Sequence, residues 1–356
     1  MTTDVPQRSR LTVESCSDRA AWDEFVERVD GPPFALWGWG EAVEEYGHDR
    51  WHLVARDGGE IVGALPVYRL RSRLFDTKLV SPPFGERASV LLAEEADESA
   101  RAHLLERVRE LADSLGVDFV SLRGADLRDP ASFEHRQRFV TFSVDLTEGP
   151  DAVWDGIRDS RRRQIRQARD DPALAFSVGD SAADLREYFR LYLRSVRGHG
   201  TPPHRFSFYR RLWEELASSD NLRIGLIRKD GAVINGIIDL VQGSTVHQWG
   251  VVTDHEYRDR NGGSYLLWKS LEWAAEAGHD AYEFGRTREG TGVYTFKKSF
   301  GGEKRWYDDY HYFPGEAVDL PDPDDDSFEP LKRAWRRLPV PVTRVLGPPI
   351  RGRISL

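Results

Sequence analysis

The chain has 356 residues, enough for two domains of ordinary size and a sizeable core. Its composition, 40% hydrophobic and 31% charged, excludes wholesale disorder; no window supplies the ~20 apolar residues of a membrane span, and Met1 to Arg10 is too polar for a signal peptide. A net charge of −9 excludes a generally basic nucleic-acid binder but not a local basic groove, and the single cysteine, Cys16, excludes a disulfide framework and a cysteine-rich zinc site, so a reducing cytoplasm is expected. In chain order, Leu11 to Ser17 reads as a strand, and Arg19 to Val29 and Gly38 to Tyr46 as helices. Trp51 to Arg71 is two β-rich runs about Asp57-Gly58-Gly59, which predicts a hairpin. Lys78 to Leu92 carries more β structure, interrupted by Pro82-Pro83. A helical pattern from Ala102 stops at Gly116, and a short strand then ends at Gly124; glycine accepts the left-handed conformation a helix end needs. Phe139 to Leu146 is a linking strand. Asp151 to Arg169, Ala182 to Val196 and Phe206 to Ala217 read as helices. Asn221 to Gly243 predicts a second hairpin about Lys229-Asp230-Gly231. Strand Thr245 to Val252, helix Ser264 to Ala277, strand Ala281 to Phe284 and a final strand Lys304 to Phe313 follow. Pro314 to Pro330 is an acidic, proline-containing linker. Leu331 to Leu356 is a tail with seven basic residues and no acidic one.

Both halves run hairpin, further β structure, helix ending at glycine, short strand ending at glycine. The shared order points to two copies of one α/β unit. On the segments FALWGWGEAVEEYG (Phe34 to Gly47), LVSPPFGE (Leu79 to Glu86), RRRQIRQARDD (Arg161 to Asp171), RGHGTPP (Arg197 to Pro203), YEFGR (Tyr282 to Arg286) and GVYTFKKSFGGE (Gly292 to Glu303), the chain resembles the tandem GNAT, Fem-type acyltransferases. The resemblance covers about Leu11 to Phe313. It lacks the helical coiled-coil arm of the tRNA-using cross-bridge enzymes and so lies closer to their broader acyltransferase relatives. It implies an α/β (α+β) fold of two fused GNAT-like units, each a mixed sheet flanked by helices. The expected divisions are residues 1–135, residues 136–316 with the active site, and a linker and tail over 317–356.

The resemblance also implies an activity: transfer of an acyl or aminoacyl group from acyl-CoA or aminoacyl-tRNA, used as co-substrate, to an amine. By family inference the acceptor is a cell-envelope peptide or amino-sugar precursor. No permanently bound cofactor and no metal are expected. A second reading is a non-catalytic protein on the same scaffold that binds RNA or a nucleotide sugar.

The candidate site residues follow from residue type and place. Six arginines fall between Arg158 and Arg169. At ~100° per residue Trp154, Ile157, Ile165 and Ala168 share one face and Arg161 falls among them, while Arg162, Arg166 and Arg169 lie beside it. Guanidinium forks suit phosphate, which nominates Arg161 and Arg166; a solvated face paired with surface acids is the plain alternative. Tyr257 to Ser264, YRDRNGGS, resembles the GNAT pyrophosphate loop with Asn261 in place of its first glycine, so Arg258, Gly262, Gly263 and Ser264 are donor-loop candidates. A glycine-rich turn with Ser264 as an ordinary helix cap explains it equally well. The Phe-Lys pair of Fem-type relatives falls on Phe296-Lys297, which gives Lys297 a phosphate- or oxyanion-holding role. Lys298 cannot point the same way on a regular element.

An amine must lose its proton to attack, and Glu283, Asp239 and His199 qualify alike as the base. The bland readings are an ion pair of Glu283 with Arg286, a solvent-facing Asp239 and a structural loop histidine. Trp249, Arg286, Tyr294 and Asp239 are candidates for the acceptor wall, and Gln248 stands beside them. The basic tail suits either an anionic inner-membrane surface or docking on the acidic body.

Overall fold

The computed structural model describes residues 11–72, 76–125, 127–128, 132–320 and 326–354. The first half begins with β1 (Thr12–Ser15), α1 (Arg19–Arg28) and α2 (Trp37–Glu44), then the hairpin β2 (Asp49–Asp57) and β3 (Glu60–Leu70). It continues through β4 (Lys78–Ser81), β5 (Leu91–Leu92), α3 (Glu98–Leu115) and β6 (Phe119–Leu122). Next come β7 (Glu134–Asp145), α4 (Pro150–Gly156), α5 (Asp159–Arg169), β8 (Leu174–Gly179), α6 (Ala182–His199) and α7 (Phe206–Leu216). The second half has the hairpin β9 (Leu222–Lys229) and β10 (Ala232–Gln242), then β11 (Thr245–Thr253), α8 (Gly262–Glu276), β12 (Ala281–Glu283), α9 (Gly292–Lys298) and β13 (Glu303–Tyr312). Two further helices, α10 (Glu329–Arg337) and α11 (Val340–Arg351), end the described chain.

Among the described residues the main strands form one sheet, ordered β1-β2-β3-β4-β6-β13-β7-β12-β11-β10-β9-β8. The order mirrors itself about its centre. Each half contributes a hairpin whose neighbouring strand pairs in parallel with the strand after its long helix, β4 with β6 and β11 with β12. The halves exchange their last strands: β13 pairs with β6 of the first half and β7 with β12 of the second, while β7 and β13 pair along most of their length. The exchange makes one continuous sheet and fixes the halves rigidly across the centre, because the inner strands are hydrogen-bonded on both edges. β7, expected as a short linker, is therefore a twelve-residue central strand. Its inner end is buried from Val140 to Val144, as a strand covered on both faces requires.

Glycine ends α3 as anticipated: Gly116 has φ 58° and its N–H returns to the carbonyls of Ala112 and Asp113. The continuous helix expected from Asp151 to Arg169 is broken at Ile157, which is extended (φ −75°, ψ 135°). There Arg158 N–H leaves the helical ladder for Ser299 C=O, and the Gly156 carbonyl lies against Gly301, where a side chain would be crowded. Tertiary pairing with the loop after α9 thus outweighs helix continuity. Ile157 and Ile165 still enter the second-half core together.

Part of the linker, residues 321–325, lies outside the described residues, as does Met1 to Arg10. The tail is helical despite its prolines. Pro339 precedes α11 and Pro341 sits in its first turn, where no N–H is missed. Thr343, Gly347 and Pro348 bury one face of α11 against the body, and Gly347 leaves no room for a Cβ beside Pro203. The opposite face carries Val342, Val345 and Leu346 outward; Val345 is 71% exposed. No helix among the described residues is long and apolar enough to cross a membrane.

Candidate active site

The site begins where the second half of the sheet opens. β11 and β12 pair only from Thr245–Ala281 to His247–Glu283. Beyond that point the ladder stops, and Gln248 to Thr253 turn one edge towards a gap. At the same place the register between β10 and β11 slips by one residue between Ile238 and Asp239, so Trp249 is an extra, bulged residue. Bulges bend a strand and re-aim its side chains. Trp249 consequently reaches across to the first half, where its indole N–H donates to Phe84 C=O at 3.1 Å.

The gap continues as a cleft of 290 Å³ between the halves. Phe84, Gly85 and Glu86 form its first-half wall, and α6 supplies Tyr188, Tyr192, Ser195 and His199. Trp249 to Val252 of β11, Tyr209 of α7, Arg286 and, from the C-terminal helix, Arg351 complete it. Glu86 is its central acid. Its Oε1 accepts the Arg286 N–H at 2.9 Å and its Oε2 accepts the Tyr307 hydroxyl at 3.0 Å. Burial raises its pKa, against the opposing pull of Lys297 and Arg286. Gly285 leaves the space this requires, since a Cβ there would lie 2.6 Å from Glu86 Oε1.

Lys297 is buried on α9, whereas Lys298 is exposed, as their adjacency demands. The Lys297 ammonium donates to Gly285 C=O, with Arg286 C=O at 3.4 Å. Burial lowers its pKa to about 8, partly offset by Glu86. Lys297 therefore fastens the segment after β12 and sets a cation behind Glu86.

The other predicted bases divide by place. Glu283 is not paired with Arg286. Arg87 Nη1 lies 3.3 Å from its Oε1 and His247 Nδ1 3.2 Å from its Oε2, and it lines a separate pocket with Thr245, Asp280 and Ala281 rather than the cleft. Burial would raise its pKa, but His247 and Arg87 together hold it down at about 2, too low for a base at neutral pH. Asp239 does not face solvent: it is fully buried, because α8 covers the face that strand alternation assigned to water. It accepts the Tyr282 hydroxyl at 2.8 Å, and burial pushes its pKa up to about 6. It is not among the residues lining the cleft. His199 is the last residue of α6 rather than a loop residue, and it does line the cleft. Burial, then the nearby His255 and Arg258, lower its pKa and keep it neutral.

The donor-side candidates meet at the start of α8. Asn261 adopts the left-handed conformation (φ 56°), the geometry asparagine tolerates in place of glycine. Ser264 and Tyr265 return their N–H groups to Asn261 C=O, which leaves the N–H groups of Gly262 and Gly263 at the helix start. Gly262 is required there because a side chain would collide with Asn235 Oδ1. Arg161 approaches from α5. Its Nη1 donates to Ser264 Oγ at 2.8 Å and its Nε to Ser299 Oγ at 2.8 Å, and it stacks over Phe296 at 4.4 Å. It is half-buried, no carboxylate pairs with it among the described residues, and burial lowers its pKa.

Arg166 is not brought to the same spot. It is exposed on another face of α5, over Trp154 at 5.2 Å. Arg162 and Arg169 pair with Asp155, Asp159 and Asp170, the solvated-face pattern. Arg258 lies in the turn before Asn261, where its charge bears on His199 and His255. Tyr294 packs on Phe142 at 5.3 Å, away from the cleft. Arg286 lines the cleft, pairs with Asp309 at 2.9 Å and stacks over Phe139 at 4.0 Å.

The two halves are not equivalent as anion sites. In the first half the corresponding helix, α3, opens on Asp97 and Glu98. In the second, α8 has no acid in its first turn and has Arg161 beside it. A helix N-terminus attracts anions, and carboxylates there repel them, so only the second half suits a phosphate-bearing donor. Sequence reading missed Glu86, Arg351 and Asn235. Glu86 stood inside a quoted segment, and its distance from the second half in sequence hid its role.

Residues 156–298 match the family model of the acetyltransferase (GNAT) domain. Among solved structures, FemX has a similar fold, with a TM-score of 0.70 at 13% identity over 85% of this chain and 97% of that one. A tandem GNAT protein from the clavulanic acid biosynthesis pathway gives 0.55 at 15% identity, over 87% and 100%. L-PGS from Bacillus licheniformis gives 0.54 at 14% identity, over 95% and 98%. No curated protein matches the sequence.

Proposed function

Since this chain carries a GNAT acetyltransferase domain over residues 156–298, set in a tandem GNAT fold, we propose that it is an N-acyltransferase whose chemistry takes place in the cleft of the second half. The observation that carries this reading is the opening beyond the short β11–β12 ladder, which leads into the cleft holding Glu86, together with the acid-free start of α8 that Arg161 contacts through Ser264. An activated donor, acyl-CoA or aminoacyl-tRNA, lies along the free edge of β11. Its phosphates reach the Gly262 and Gly263 N–H groups and Arg161. The acceptor amine enters from the aromatic side of the cleft, next to Glu86.

The amine lone pair attacks the donor carbonyl carbon directly. A C–N bond forms, the C–S or C–O bond to the carrier breaks, the amine proton passes to the Glu86 carboxylate, and the released thiolate or alkoxide takes up a proton. The free β11 N–H groups face the developing oxyanion, a preorganised arrangement that strengthens as charge builds. Lys297 acts as a positioning residue for Glu86. The acceptor is an amine-bearing precursor of the cell-envelope type, in line with the family resemblance.

Titration of the full chain with CoA, acetyl-CoA and aminoacyl-tRNA, followed by mass spectrometry of amine mixtures, tests this reading. One donor binds and turns over. Arg161→Gln weakens its binding about 10-fold, the scale of a lost charge-assisted hydrogen bond. Absence of binding by all three donors overturns it.

The tail supports a further point about location. Leu331, Val342, Val345 and Leu346 are exposed beside Arg333, Arg337 and Arg344, on a chain that is acidic overall. An apolar stripe flanked by cations suits an anionic lipid surface. The full chain is expected to pellet with phosphatidylglycerol vesicles and not with phosphatidylcholine vesicles. Val345→Asp with Leu346→Asp should abolish pelleting without altering the docked face. Equal, negligible pelleting on both vesicles removes this reading.

A further inference from the structure

We propose that the C-terminal helix completes the acceptor pocket. Arg351 holds an anionic group of the acceptor, so the acceptor is an amine that also bears a carboxylate or a phosphate. This rests on the acyltransferase reading for the word acceptor, though not for the anion site itself.

Arg351 lies at the end of α11 and lines the same cleft as Glu86. Its position is fixed on both sides. Gly347 packs against Pro203, Gly352 packs against Tyr46, and His48 Nε2 lies 2.7 Å from Gly352 C=O. The Arg351 Nε donates to His204 Nε2 at 3.1 Å, and His204 Nδ1 in turn meets the Tyr46 hydroxyl at 2.8 Å. An imidazole nitrogen that accepts from a guanidinium is unprotonated. Burial, then the charge of Arg351, hold the His204 pKa well down, in agreement. The cation is thus positioned by a neutral ring rather than neutralised by an acid.

Arg286, in the same cleft, is different: Asp309 pairs with it at 2.9 Å. Among the described residues no carboxylate pairs with Arg351 and no acceptor meets its two terminal nitrogens. The surrounding walls are Tyr192, Tyr209 and Tyr188, and the Tyr188 hydroxyl is buried without a hydrogen-bond partner. A half-buried guanidinium without a counter-charge is unfavourable unless a ligand supplies one. Its planar fork matches the paired oxygens of a carboxylate or phosphate. With Glu86 on another wall, the cleft offers an acid for the amine and a cation for the anion of one small molecule, or of the end of a larger one.

The test is calorimetric titration with sodium acetate and with inorganic phosphate against sodium chloride at equal ionic strength. The full chain carries Arg161→Gln throughout, to weaken the donor site. One saturable site is expected, and preference for acetate or for phosphate identifies the anion. Adding Arg351→Gln should weaken binding at least 10-fold, whereas Arg351→Lys, which keeps the charge but loses the planar fork, should fall between the two. Two results overturn the proposal: Arg351→Gln binding as tightly as its parent, and neither anion binding the parent. Anion binding here with no donor turnover by the wild-type chain preserves this site and removes the acyltransferase reading; wild-type turnover with no anion site does the reverse.

Discussion

Glu86→Gln is expected to slow amide formation about 10²- to 10⁴-fold while leaving donor affinity nearly unchanged. The replacement keeps the side-chain shape, and its carbonyl still accepts the Arg286 N–H that Glu86 Oε1 accepts at 2.9 Å. What it removes is the site for the amine proton. Burial raises the Glu86 pKa, so the wild-type rate should climb with pH through a carboxylate value above the ordinary one, and that limb should vanish in the variant. Single-turnover rates across pH 4 to 9 make the measurement. A comparable loss in His199→Gln, with Glu86→Gln unaffected, would move the base to the far end of the cleft.

Glu283→Gln is expected to act on stability instead. Burial works against ionisation of Glu283, yet the His247 contact and the Arg87 charge prevail and hold its pKa at about 2 rather than 4.5. A folded pKa below the unfolded one means that ionised Glu283 stabilises the fold. That contribution is fully present above about pH 4.5 and disappears as pH falls towards 2. A shift of this size corresponds to about 3 kcal/mol at pH 7. Urea denaturation at pH 7 should show the variant less stable by roughly that amount, and the gap should close on acidification. Asp239, whose raised pKa has the opposite linkage, is present in both chains and cancels in the difference. A variant as stable as wild type at pH 7 would mean that the Arg87 and His247 contacts contribute nothing. The pair of experiments therefore separates a carboxylate that serves chemistry from one that serves the fold.

Much of the architecture was open to inspection in the chain itself. The two hairpins, the helices stopped at Gly116 and Gly278, and the final alternating strand all follow from short-range rules of turn chemistry and periodicity, and each forms. The Asn261 loop was legible too, because asparagine reaches the left-handed region its position needs. The alternation of Lys297 and Lys298 was legible for the same local reason. The base was not. Glu283, Asp239 and His199 had equal standing because a carboxylate's pKa depends on its burial and on charges distant in sequence. Arg87 and His247 hold one down, and full burial pushes another up. The break at Ile157 was equally hidden, since its cause is the Ser299 carbonyl more than 140 residues away.

The sequence alone determined the repeated unit, the turns and the left-handed backbone at Asn261, because φ preference, helix capping and hydrophobic period act within a few residues. Tertiary structure decided which long helix starts beside an arginine, which acid faces the cleft, and that a basic tail folds back to put Arg351 inside it. Those outcomes depend on electrostatics and exclusion of water. Both are set by groups that meet only when β7 and β13 cross between the halves and α11 docks on α6.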